Sequence, residues 1–114
     1  MLDKIIKFLA YEGRISVICA NTTEMVEEAR KIHDMSPVVT AAFGRLLTIT
    51  SIMATEMKGS KDKLTVQLKG NGPIGVMIAT ANNKPMVKGY VTNPVVELPL
   101  NEDGKLDVSG AVGY

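Results

Sequence analysis

"KGNGPIGVMIA", residues 69–79, sets Gly70, Gly72 and Gly75 in the spacing G-x-G-x-x-G. Dinucleotide-binding turns share that spacing. There the glycines close a strand, admit a pyrophosphate to the backbone and open a helix whose N-terminus faces the anion. The residues after Gly75 decide the fold. "VMIATA" is short and β-branched, and "NNKP" at 82–85 stops it. That is a strand, so no βαβ unit forms and no acidic residue stands where a ribose would need it. Pro73 also removes an amide from the loop that should offer amides to phosphate. The glycines therefore read as a connection between neighbouring strands. Gly70 and Gly72 are expected to take backbone angles that other residues avoid, with Pro73 stiffening the exit. A small-molecule or nucleotide-binding domain using the Gly70–Gly75 loop is the alternative.

Ahead of the loop, "KLTVQLKG" alternates Leu64, Val66 and Leu68 with Thr65, Gln67 and Lys69, the pattern of a half-buried strand. "MVKGYVT" and "VVELPL" continue the series beyond it, with turns at "GNGP", "NNKP" and "TNP". This is an antiparallel meander. Pro99 confines the last run to an edge or a loop. "NEDGKLD" is a further turn, where Glu102 and Asp103 read as solvated turn residues. "VSGAVGY" trails off with no closing element.

Upstream, "IIKFLA" (5–10) and "RISVICA" (14–20) read as two strands around a turn at Gly13. Ile15, Val17 and Cys19 share one face, which places Cys19 in the core. "NTTEMVEEARKIHD" reads as an amphipathic helix capped by Asn21, with Glu24 answering as in a capping box. Met25, Val26, Ala29 and Ile32 form its core face. Glu27 and Lys31 are spaced as a favourable pair, and the acidic-to-basic order suits the helix dipole. "SPVVTAAFGRLLTITSIMATEMKG" starts with Ser36 as N-cap and Pro37 at the first helical position, and Gly59 supplies the stop. Between them runs a long helix, apolar nearly all round. It belongs in a core or an interface. A membrane span would pay about 2.5–3.5 kcal/mol for Arg45, and the threonines weaken the apolar signal further. The fold class is α+β: an antiparallel sheet with two helices packed on it, in the order ββααβββ.

The bulk composition narrows function. The chain has 114 residues, enough for one domain, with 46% hydrophobic and 22% charged residues. A net charge of +1 gives no electrostatic case for nucleic acid or an anionic membrane. Aromatic residues are 4%, too few for a base-stacking platform. One cysteine excludes an internal disulfide and a multi-cysteine zinc site, and fits a reducing, cytoplasmic setting. "MLDKIIKFLAYEGR" lacks the layout of a signal peptide. Cys19 and His33, the one histidine, read as a core thiol and a helix-terminal imidazole rather than a catalytic pair. No carboxylate cluster accompanies them at metal-ligand spacing. A lone Arg45 inside an apolar helix is expected to be paired or snorkelled to the surface, and a pair with a carboxylate or helix C-terminal carbonyls is favoured over a ligand site. Met53, Met57, Met77 and Met86 suit either core filling or an adaptable binding surface. No catalytic, cofactor-binding or metal residues emerge, which leaves binding or assembly.

"NTTEMVEEARKIHDMSP", "TAAFGRLLTITSIMATEMKG", "KLTVQLKGNGPIG", "VKGYVTNP" and "NEDGKLDVSGAVG" occur in this order along the chain. Together they resemble the N-terminal domain of bacterial heat shock protein 33, and the resemblance covers essentially the whole chain. It implies the core of a redox-regulated chaperone, a holdase and not an enzyme, that binds unfolding proteins under oxidative stress. It implies homodimers, and a C-terminal module in which four cysteines bind zinc and switch through disulfides. Zinc is thus implied for the parent protein and not for these residues. On this resemblance residues 1–114 are an incomplete N-terminal core domain, with a further strand expected after Tyr114. The strand edge so exposed is expected to pair with a second copy.

Overall fold

Phe43 is fully buried, and its ring meets the His33 ring edge-on with centroids 5.7 Å apart. The structure is a computed structural model that describes residues 3–84 and 86–114. Met1, Leu2 and Pro85, the proline of the "NNKP" turn, lie outside the described residues. Among the described residues the order is β1 (Lys4–Ala10), β2 (Ile15–Asn21), α1 (Thr23–His33), α2 (Pro37–Ala54), β3 (Leu64–Lys69), β4 (Val76–Ala81), β5 (Val87–Val91) and α3 (Val108–Val112). This is the expected α+β class with the expected ββααβββ order, extended by α3.

The strands divide into separate sheets. β3, β4 and β5 form an antiparallel meander in which Val66 pairs with Ala79 and Ala79 with Gly89. Its inner face carries Met77, Ala79, Ala81 and Val91, all buried. α2 lies on that face. A Cβ at Gly89 would stand 2.7 Å from Phe43 Cζ, so glycine there leaves the room the ring fills. β1 and β2 form a hairpin sheet of their own, with Ala10 opposite Ile15 and Lys4 opposite Asn21.

α2 runs 18 residues, about five turns, and ends at Ala54 rather than near Gly59. Val38, Val39, Ala42, Phe43, Leu46, Leu47, Thr50, Ser51 and Ala54 are buried. The buried hydroxyls are satisfied inside the helix: Thr50 donates to the Leu46 carbonyl at 2.7 Å and Ser51 to Leu47 at 2.9 Å. By length and composition α2 could cross a membrane, but 56% of it is buried within this domain against the sheet and its neighbours. It is the core helix of the fold.

Ser36 does not cap α2 with its side chain. It is buried and staples the segment after β5. Its N–H donates to Pro94 O at 3.0 Å, and its hydroxyl both donates to Val96 O and accepts from Val96 N–H at 3.0 Å. "VVELPL" accordingly takes no strand pairing among the described residues. Its Val96 is buried in the core by this clamp.

Helix α1 departs from expectation at both ends. Its N-cap is Thr22, without a side-chain cap bond, and the Asn21 carboxamide oxygen accepts from Thr23 N–H and Thr23 hydroxyl instead. The capping carboxylate comes from the far end of the hairpin: Asp3 accepts from Glu24 N–H at 3.0 Å and Met25 N–H at 2.8 Å. A negative group there satisfies orphan amides and complements the dipole. Met25, Val26 and Ala29 are half-buried as expected, but Ile32 is 71% exposed, because the helix ends a residue later and Asp34 turns away in the left-handed region. The expected Glu27–Lys31 pair gives way to Glu27–Arg30, whose guanidinium donates Nε to Glu27 Oε2 at 2.9 Å. That hydrogen bond holds the Glu27 carboxyl below its usual range. The pair's contribution is therefore present above the ordinary carboxylate pKa and fades as acid protonates Glu27, and solvent screening of both side chains keeps it small.

Phe43→Ala is expected to destabilise the domain by about 3–5 kcal/mol in chemical denaturation, since the ring leaves a cavity between α2 and the sheet. Asp3→Ala is expected to cost about 0.5–2 kcal/mol and to raise amide exchange at Glu24 and Met25 before the rest of α1.

Candidate functional site

The glycine-rich loop was the sequence's strongest pointer to a ligand, and the amides of Gly72, Ile74 and Gly75 are occupied. Gly72 N–H donates to Val112 O at 3.0 Å and Ile74 N–H to Ala111 O at 3.1 Å. The Asn71 carboxamide accepts from Tyr114 N–H at 2.8 Å. The loop thus receives the last carbonyls of α3, groups that a helix end otherwise leaves without partners. A side chain at Gly70 or Gly72 would collide with the Val112 or Ala111 carbonyl oxygen. Close approach, and not unusual dihedrals, makes glycine necessary at both. The left-handed conformation falls on Gly75 instead, at φ +81°. "VSGAVGY" therefore does not trail off. Asp107 caps α3, accepting from Gly110 N–H at 3.0 Å, and Ala111 is fully buried under the loop.

Cys19 and His33 do not form a site. Cys19 is exposed on β2, whereas His33 is half-buried against Phe43, and no hydrogen bond joins them. The expectation of a core thiol fails for a geometric reason. Ile15, Val17 and Cys19 do share a face, but it is the outer one. In register with them stand Ala10, Phe8 and Ile6. Ile6 is 55% exposed, Phe8 48% and Ile15 44%. On the hairpin's other face Leu9 nearer the turn is 69% exposed, while Ile5, Ile18 and Ala20 are half-buried where β2 meets α2. Lys7 pins the hairpin there, donating to Thr55 O at 3.1 Å and standing 3.5 Å from Glu56 Oε1.

Arg45 is exposed and has no hydrogen-bond or ion-pair partner among the described residues, contrary to the expected carboxylate or carbonyl. It lies in an open groove of about 410 Å³ along the outer side of α2, whose wall from α1 is Val26. Met53 and Met86 are exposed, while Met77 is buried and Met57 half-buried. No group of three His, Cys, Asp or Glu stands together among the described residues. Apolar side chains are exposed on the outer face of the hairpin and along the outer side of α2, while a wider hollow of about 830 Å³ is bordered by Asp3, Lys4, Lys7 and Glu28 as well as by Ile5 and Met25.

The profile of the family described as Hsp33 protein matches residues 3–114. The chain belongs to the Hsp33 family. It is 49% identical over 114 residues to a 33 kDa chaperonin of Ruminiclostridium cellulolyticum, covering 100% of this chain and 39% of that one. It is 50% identical over 113 residues to a 33 kDa chaperonin of Clostridioides difficile, covering 99% of this chain and 39% of the relative. The crystal structure of a 33 kDa chaperonin (heat shock protein 33 homolog) from Thermotoga maritima superposes with a TM-score of 0.87 at 38% identity, covering 96% of this chain and 37% of that one. The chain spans about 39% of the length of the curated relatives it matches. In this chain the glycine motif is accounted for by the α3 socket.

The residues that sequence reasoning missed are Ile6 and Phe8. A signal was present: "IIKFLA" is apolar at both parities, so one of its faces had to be left over once the other packed. Gly72→Ala is expected to destabilise by about 1–3 kcal/mol through overpacking, with amide protection lost first at Gly72, Ile74 and Tyr114. Unchanged protection at these amides would show that the socket is not what holds α3.

Proposed function

We propose that this chain forms the N-terminal core of a redox-regulated holdase, which binds proteins that are losing their fold and keeps them from aggregating. The observation that carries the reading is the outer face of the β1–β2 hairpin. Ile6, Phe8, Ile15, Val17 and Cys19 share one face, apolar from Ala10 at the turn to Lys4 at its open end. Surfaces of this kind mark interaction sites, because exposed apolar area gains free energy on leaving water. A two-stranded hairpin is marginal by itself and is steadied by whatever covers it. An unfolding polypeptide offers matching apolar side chains without a fixed shape, so contact and not catalysis is the mechanism.

Family membership supports the chaperone reading, and the relatives named above are chaperonins. The redox control belongs to a longer protein. These residues do not fit a zinc site: the sequence holds one cysteine and one histidine, and Cys19 is exposed on the hairpin. Homodimer formation and a cytoplasmic location are part of the same proposal, and the free edges of β3 and β5 supply strands able to pair with a second copy.

The test is light scattering from a thermally unfolding client protein with and without a molar excess of the 114-residue chain. Suppressed aggregation is expected, weakened by Phe8→Asp and unaffected by peroxide in a Cys19→Ser background. No suppression at excess would overturn the reading.

A further inference from the structure

The glycine motif also sets an asparagine before a glycine. Asn71 is the one asparagine in the chain followed by glycine. Glycine has no side chain to hinder its own amide nitrogen, so a carboxamide directly before it is open to attack from within the backbone. Asn71 is exposed to water, and the end of α3 lies on its peptide. Gly72 N–H, the attacking group, donates to Val112 O at 3.0 Å, and a hydrogen bond to the neutral form makes its proton harder to remove. The Asn71 carboxamide oxygen accepts from Tyr114 N–H at 2.8 Å, which ties down the group to be attacked. Gly113 passes over both: a Cβ on it would strike Asn71 Oδ1 and Gly72 N. Nucleophile and electrophile are thus each engaged by the same short segment, residues 112–114. A five-residue helix with a glycine in its middle owes its order to such contacts, so α3 opens locally before the core does.

We propose that Asn71 is a deamidation site which docked α3 keeps closed, and that its conversion to isoaspartate releases α3 irreversibly. When the segment lifts, solvent base takes the Gly72 amide proton and the nitrogen attacks Asn71 Cγ. The Cγ–Nδ2 bond breaks, ammonia leaves and a succinimide remains. Water, the one co-reactant, then opens the ring. Attack at Cγ gives aspartate. Attack at the Asn71 main-chain carbonyl carbon gives isoaspartate, with Cβ and Cγ now in the main chain and the α-carboxylate free. An aspartate can still accept from Tyr114 N–H. Isoaspartate cannot rebuild the socket: the lengthened backbone has no room against the Ala111 and Val112 carbonyl oxygens, where not even a Cβ fits, and the new carboxylate meets like partial charge there. The inference concerns the chain's own backbone and stands apart from the chaperone reading.

The test is peptide mapping by mass spectrometry after the 114-residue chain is held in mildly alkaline buffer, with fragmentation that separates aspartate from isoaspartate. A free peptide of residues 66–78 is the reference. Conversion at Asn71 is expected to be at least about tenfold slower in the folded chain than in the peptide, because it waits for local opening. Asp107→Ala removes the α3 cap, and Gly113→Ala cannot close over Asn71; each is expected to bring the rate severalfold nearer the peptide's. The unsubstituted chain gives a second measurement. In urea too dilute to unfold it, Asn71 conversion and Gly72 amide exchange are expected to rise in proportion. The isoaspartate form, separated by chromatography, is expected to lose amide protection at Gly72, Ile74 and Tyr114 while Phe43 and Met77 keep theirs. Equal rates in chain and peptide, conversion that ignores Gly72 exchange, or an isoaspartate form with these amides still protected overturns the proposal. So does earlier conversion at Asn82 or Asn101.

Discussion

Phe43 reaches the β3–β5 sheet because Gly89 presents no side chain beneath it. The contact sets the height of α2 above the sheet, and most of the remaining structure depends on that height. Met77, Ala79 and Val91 fill the layer around the ring, and Val39, Leu46 and Leu47 close it from the helix side. His33 meets the ring edge from α1, so the same aromatic anchors a second helix. Ser36, at the start of α2, then holds Val96 through paired hydrogen bonds, so the chain leaving the sheet is tied back to the helix lying on it.

The apolar content of α2 explains why apolar side chains stay exposed among the described residues. A helix that is apolar all round needs cover on every side. The sheet, α1 and α3 cover part of it, and Ile49 and Met53 remain 48% and 42% exposed. The hairpin repeats the situation in β form: one face packs toward α2 while Ile6, Phe8 and Ile15 look outward. Among the described residues the apolar supply exceeds what the packing of α2 and the sheets buries.

Element types were legible because their signals are local. The alternation of Leu64, Val66 and Leu68 requires a strand with one wet face, and Pro37 after Ser36 opens a helix. Rejection of the nucleotide reading was legible too, since a strand comes after Gly75. Other features were not legible. Asp3 caps α1 from more than twenty residues away, and no local rule could prefer it to Asn21. The short helix at Val108–Val112 is too weak in propensity to be read from "VSGAV", with a glycine in its middle. It forms because the Gly70–Ile74 loop receives its carbonyls. Arg45 was expected to find a partner because a charge on an apolar helix looks stranded, but it lies on the side of α2 that the domain leaves open.

Periodicity, caps and turn residues act over a few positions, so the α+β class, the strand-and-helix order and the family were all present in the sequence alone. The sense of each face was not, because it depends on packing. Period-two alternation places Ile15, Val17 and Cys19 together, yet a strand that is apolar on both sides carries no mark of which side is inward. Only the docking of the hairpin on α2, through Lys7 to Thr55 and Glu56, turned that face to solvent. The same holds for "GNGPIG". Its spacing announced a backbone that something approaches closely, and that was right. What approaches is the end of α3, whose carbonyls take the amides that a phosphate would have used.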